Sequence, residues 1–209
     1  MDHNKRHKRL RQLLSRLNKE RKVQAQKVDI LCNDLIAAQR TFIKNLSTIN
    51  FAANFYETII GTTELSNLLY TAGKLIKDEI PDANVAFFLR QQDGFQLHLL
   101  DNDQPTTLGQ ERLENCFTRE LVENICNSNK ICTPDNLLAM GLQSNPNQLN
   151  TVSLVTIPLG RMGPSPGFIL IYRPSENELT NPELTNVAAI APGLSKAVVS
   201  CQTAAHPAV

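Results

Sequence analysis

Residues Ser153–Leu184 read SLVTIPLGRMGPSPGFILIYRPSENELTNPEL, and this stretch decides the fold. Val152–Leu159 is apolar and β-branched, with Thr156 its one polar interruption after Ser153, which is the composition of a largely buried strand. Pro158 has no amide hydrogen to give a ladder, so it belongs near the strand's end or on an edge. Between Arg161 and Gly167 stand two glycines and two prolines, which is turn chemistry. Phe168–Tyr172 is a second run of strand formers. The linker that follows ends in Thr180-Asn-Pro-Glu-Leu184. Here Asn181 can cap a helix, Pro182 suits its first position, and Thr180 with Glu183 has capping-box spacing. The expectation is an antiparallel hairpin feeding a helix, with Pro192-Gly193 bending that helix near Ala191.

Upstream, Asn84–Arg90 reads as a strand, Gln92-Asp93-Gly94 as a turn, and Phe95–Leu100 as the antiparallel mate. Before this hairpin, Gly61 interrupts a long helical segment. Thr62 or Thr63 can cap a second helix, which runs to Ile80 with Leu65, Leu68, Leu69, Ala72, Leu75 and Ile76 at helical spacing. Pro81 stops it. A further helix is expected over about 110–126, with Leu113, Phe117, Leu121 and Ile125 on one stripe. Lys130–Thr133 reads as a short strand. Residues 134–151 read as irregular, apart from one helical turn at Leu137-Leu138.

In this order the pieces resemble a GAF domain, a small cytosolic sensor module. The likeness rests on Pro158-Leu159, Gly167-Phe-Ile-Leu-Ile171 and Thr180-Asn-Pro-Glu-Leu184, together with the Asp93-Gly94 turn of the first hairpin. It covers roughly Thr63 to Cys201. It implies an α+β fold: a cupped central antiparallel sheet with helices packed behind it. On the other face the family has a pocket that holds cyclic nucleotides, tetrapyrroles, haem, small metabolites or nothing. The Asn-Lys-Xaa-Phe-Asp-Glu signature of cyclic-nucleotide binders is absent. So are the Cys-His and Asp-Xaa-Pro arrangements of bilin binders. No cofactor is therefore assigned, and a small molecule, if bound, is unknown. By position, Phe88, Arg90, His98, Thr133, Thr156 and Tyr172 would line such a pocket, and Cys116 is the candidate ligating or attaching thiol. Alternation puts Phe88 and Arg90 on one face of their strand. The competing reading makes Phe88 and Tyr172 core, His98 structural, and Cys116 a small buried hydrophobe.

From Lys5 to Ile60 there is neither Pro nor Gly. A heptad pattern with apolar seam positions at Leu10, Leu14, Leu17, Val28, Leu31, Leu35, Phe42, Ile49 and Tyr56 persists through this segment. Twelve of its fifteen seam positions are apolar; Arg21, Gln24 and Asn45 interrupt it. A 3.5-residue period held this long predicts a coiled coil, and self-association to a parallel homodimer is the simplest way to bury the stripe. The alternative is a helix folded back on its own domain. The resulting organisation is a coiled-coil helix over 1–60, a GAF-like domain over 61–203 and a tail over 204–209.

Net charge is +1, unevenly placed. Residues 1–22 hold nine Lys/Arg against two Asp/Glu; the remainder holds 12 against 18. The basic start could meet an acidic membrane surface or nucleic-acid phosphates, or be the solvated end of the coil. Aromatic content is 5% and Trp is absent, which argues against a stacking surface for bases or sugars. No apolar run near 20 residues and no signal-peptide core is evident, so a cytoplasmic protein is expected. The five cysteines form no CxxC pair and no zinc spacing. GxSxG, HExxH and P-loop motifs are missing. The sequence therefore points to a non-enzymatic signalling or regulatory protein, acting through a small molecule or a protein partner. A ligand-free assembly module is the alternative. A third reading comes from the family, where a few members reduce free methionine sulfoxide with cysteines; here it would fall to Cys116, Cys126 and Cys132.

Overall fold

The apolar runs pair as a four-stranded antiparallel sheet, built from β1 (Asn84–Gln91), β2 (Gly94–Leu99), β5 (Val152–Pro158) and β6 (Gly167–Pro174) in the order β2-β1-β6-β5. This is a computed structural model, and it describes every residue except 1, 92–93, 101–106, 109–110, 144–148, 161–164 and 206–209; for 2–3, 107–108, 111 and 205 it describes the backbone alone. The Gln92-Asp93 part of the first turn and Arg161–Pro164 of the second lie outside the described residues. A short ribbon of β3 (Thr107–Leu108) and β4 (Glu111–Arg112) lies between the two hairpins in sequence. The helices are α1 (Asp2–Ile59), α2 (Leu65–Glu79), α3 (Arg119–Ser128), α4 (Pro134–Ala139) and α5 (Asn181–Ala205). The α+β class expected from the sequence is observed.

Register sorts the strand residues onto two faces. Phe87 pairs with His98 on one side and Ile169 on the other, while Phe88 pairs with Leu97 and Phe168. Odd-numbered β1 residues Val85, Phe87 and Leu89, with Val155, Ile157, Ile169 and Ile171, pack beneath α2 and α5. Even-numbered Ala86 and Phe88, with Leu154, Phe168, Leu170 and Tyr172, pack against α3 and α4. Both faces of β1, β5 and β6 are thus covered, and their sequences read as continuous apolar runs because of it.

The chain divides into two compact units, Met1–Ser47 and Thr48–Val209. The second starts inside α1, ahead of the boundary that the sequence placed at residue 60. Phe55 and Ile59 are buried in the core under the sheet, with Phe51 and Ala52 packed against it. Thr48 donates to Oδ1 of Asn186 at 2.6 Å, and the Asn186 amide donates to Glu79 at 2.6 Å. One buried asparagine thereby ties α1, α2 and α5 together.

Several local expectations are corrected. α2 starts after Glu64, whose carboxylate accepts from Asn67, rather than at a Thr62 or Thr63 cap. The helix drawn over 110–126 is instead β4, a 3₁₀ turn at Leu113–Cys116, and α3. Thr118 splits them, because its hydroxyl accepts from the Leu121 amide and so sets a new helix start. Lys130–Thr133 contributes only a single bridge, Cys132 to Thr156. Part of the segment taken as irregular is α4. On α5, Thr180 is the capping residue: its carbonyl accepts from Leu184, and Glu183 reaches back to its amide at 2.7 Å. Asn181 is then the first helical residue. The helix continues to Ala205 with Pro192 inside it. Finally, Asn181–Ala204 is long and apolar enough to cross a membrane by length and composition. This corrects the expectation that no such run exists, although Val187, Ile190, Leu194 and Val198 are buried in the core under the sheet.

Candidate functional site

The sequence placed a pocket between the sheet and its second covering layer, and four of the seven candidate residues meet there. Phe88, Cys116, Thr156 and Tyr172 are all buried in this face of the protein. Three rings occupy the middle of the layer. Phe88 stacks on Phe168 with centroids 4.8 Å apart, and Phe117 leans on both at 5.3 and 6.0 Å. Leu121, Ile125 and Leu137 close over them from α3 and α4. Phe88 and Tyr172 belong to this buried apolar cluster.

An acidic side chain lies inside that layer. Glu114, from the 3₁₀ turn, is 3% exposed. Its Oε1 accepts a hydrogen bond from the Tyr172 hydroxyl. Its Oε2 lies 3.7 Å from Nε of the half-exposed Arg112, an ion pair without a hydrogen bond. Thr156 is fully buried on the same face, and its hydroxyl has no partner among the described residues. The sequence reading missed Glu114, since one acid among apolar neighbours carries no motif.

Of the other three candidates, Arg90 borders the layer through the Cys126 thiol, and His98 and Thr133 go elsewhere. Arg90 shares the parity of Phe88 but sits exposed at the strand's end, its guanidinium 5.2 Å from the centre of the Phe95 ring. His98 pairs with Phe87 and so belongs to the opposite face, where burial lowers its pKa. Thr133 is exposed and caps α4 in a reciprocal arrangement with Asn136. The signal for that cap was present in Thr133-Pro-Asp-Asn136, a capping residue followed by proline.

Burial sets the thiols apart from one another. Burial pushes the Cys126 thiol up to about 11, against a partial pull downward from Arg90. Burial also raises Cys201. Cys132 donates to the Lys130 carbonyl at 3.3 Å. Cys32, on α1, is exposed; the other four are buried. No cluster of metal-ligating side chains is present among the described residues. A wide cleft of about 1240 Å³ opens at the start of α2, lined by Leu65, Arg90, Phe95, Val199 and Gln202. Arg90 is the one sequence candidate it contains.

The remaining candidate surface is on α1. Leu10, Leu14, Leu17, Val28, Leu31, Leu35, Phe42 and Ile49 all lie exposed, Leu35 at 69%. Tyr56 does not join them. Its hydroxyl donates to the Ala189 carbonyl at 3.2 Å and its ring lies against Gly193. The last turns of the stripe therefore serve the chain's own core, and the free stripe ends at Ile49.

No protein-family model matches the chain, and no curated protein resembles it in sequence. Solved structures do resemble it in shape. The GAF domain of an Acinetobacter phosphoenolpyruvate-protein phosphotransferase has a TM-score of 0.55 at 12% identity, covering 77% of this chain and 96% of that one. The GAF domain of the corresponding Coxiella burnetii protein gives 0.54 at 12%, covering 78% and 98%. A putative GAF sensor protein from Burkholderia vietnamiensis gives 0.53 at 10%, covering 76% and 97%. The fold is that of GAF domains, preceded by a long N-terminal helix.

Proposed function

We propose that this chain is a non-enzymatic regulatory protein of the cytoplasm, in which a GAF-fold unit is paired with a second copy through α1. The observation that carries the reading is the row Val28, Leu31, Leu35, Phe42 and Ile49, exposed on one heptad stripe. Five large apolar side chains at a 3.5-residue period have no use for water, and a second copy offers the same stripe in matching register. Asn45 within this row would fix that register at some cost in stability. In the unit itself, the ring-filled layer around Phe88, Phe117 and Phe168 supports regulation by assembly rather than by a bulky ligand. The buried thiols argue against a cysteine-dependent reductase, because the thiolate is the attacking form and Cys126 is held far from it at neutral pH.

A second reading keeps small-molecule sensing. Glu114 Oε2 and the Thr156 hydroxyl are buried polar atoms without hydrogen-bond partners among the described residues, and small polar guests in this layer would satisfy them. Native mass spectrometry of the protein as purified separates the two readings. Two chains with no added mass supports assembly. Two chains carrying a small molecule supports sensing, and a single chain defeats the pairing common to both.

A further inference from the structure

The first 22 residues of α1 differ from the stripe that follows them. Arg21 and Gln24 cut the heptad seam, leaving Leu10, Leu14 and Leu17 apart from the row that starts at Val28. A fourth leucine, Leu13, stands off the heptad positions. At 100° per residue, Leu10, Leu13, Leu14 and Leu17 fall within an arc of about 100°. All four are exposed, Leu10 at 61% and Leu13 at 59%. Seven of the nine Lys and Arg of residues 1–22 lie outside this arc. Arg6 and Arg21 close it at its two ends. Arg16 is in an ion pair with Glu20 at 3.1 Å.

A second copy is a poor occupant for this face. Two parallel arms would set two segments of net charge +7 side by side, nearer than the roughly 8–10 Å over which salt screens charge. Nucleic-acid phosphates would use the charge but leave the leucines in water. The surface that uses both is the headgroup region of an anionic bilayer, which takes an apolar face into the acyl boundary while Lys and Arg reach the lipid phosphates. We propose that residues 4–22 form an arm that lies on anionic lipid surfaces, with Leu10, Leu13, Leu14 and Leu17 turned into the bilayer. This goes beyond the pairing reading and does not rest on it.

The test is flotation of the full chain with vesicles of phosphatidylcholine alone and of phosphatidylcholine with phosphatidylglycerol at roughly 7:3. The anionic vesicles should take up about tenfold more protein, and raising the salt to about 0.5 M should abolish the difference. Leu13→Asp should reduce uptake by about tenfold with the oligomeric mass unchanged, because Leu13 is off the seam. A second variant, Lys5→Glu/Lys8→Glu/Arg9→Glu, leaves every leucine in place and should lose the preference for anionic vesicles. Equal uptake by both vesicle types, no uptake at all, or uptake unchanged by Leu13→Asp overturns the proposal. So does tighter binding to a short DNA duplex that survives Leu13→Asp, which would give the arm to nucleic-acid phosphates.

Discussion

The Tyr172 hydroxyl donates to Glu114 inside an otherwise apolar layer, so that a strand at the centre of the sheet holds the carboxylate of a 3₁₀ turn. With Arg112 at ion-pair rather than hydrogen-bond distance, this bond is the main satisfaction of a buried charge. Tyr172→Phe leaves the carboxylate buried and unmatched, and should cost about 1–3 kcal/mol. Urea unfolding reads this as a lower midpoint with an unchanged slope. A midpoint that does not move would show that Glu114 finds its partner elsewhere.

Arg173 is buried and donates to the Asn177 and Glu178 carbonyls at 2.5 Å each, and to both Glu183 oxygens at 3.2 and 3.0 Å. It pins the linker between β6 and α5. Arg173→Ala should cost about 1–3 kcal/mol, since the Asn177 and Glu178 carbonyls and the Glu183 carboxylate then lose their donor. Arg173→Lys should recover only part of this, because an ammonium cannot reproduce the fork.

Glu183 carries a pH signature. Burial pushes its carboxyl up, but hydrogen bonds from the Thr180 hydroxyl and amide, with the Arg173 guanidinium, outweigh this and leave it below its ordinary 4.5. The folded value is depressed, so its stabilisation is present above about pH 4.5 and is lost as pH falls through the folded value. Thermal unfolding from pH 7 to pH 3 should fall less steeply below pH 4.5 in Glu183→Gln than in the parent chain. Parallel curves would remove Glu183 from the acid response.

Gly167 opens β6 at φ +157°, and a Cβ there would run into the Phe88 carbonyl oxygen. The obstacle is backbone in the middle of the sheet, so it cannot swing aside. Gly167→Ala should destabilise by about 3 kcal/mol or more, measured by the same urea titration. A neutral result would mean that β1 and β6 approach less closely than they do here.

The strands of this fold were legible because β1, β5 and β6 are apolar on both faces, and turn residues such as Gly94 and Gly167 punctuate them. The face each residue serves was not legible. Parity ties Phe88 to Arg90, but only the pairing of Phe87 with His98 shows that His98 belongs to the other side. The same limit applies to Tyr56. Its heptad position matches that of Leu35 and Ile49, and it is the fold that turns it toward α5. Thr118 was lost inside an apolar stripe that happens to keep helical spacing across a 3₁₀ turn.

Thiol reactivity follows from burial. At pH 8, Cys32 should react promptly with an aromatic disulfide, and Cys126, with its pKa raised to about 11, should be the slowest of the five. All five should titrate together after denaturation. Rapid reaction of Cys126 in the folded protein would reopen the redox reading.

The central claim is that Val28–Ile49 of α1 pairs two copies. Light scattering of the eluting full-length chain at micromolar concentration, beside Leu35→Asp/Phe42→Asp, tests it most directly. The account predicts the mass of two chains for the parent and of one chain for the variant, with the thermal midpoint of the GAF-fold unit unchanged. A parent that elutes with the mass of one chain, or a variant that keeps the mass of two, would contradict it.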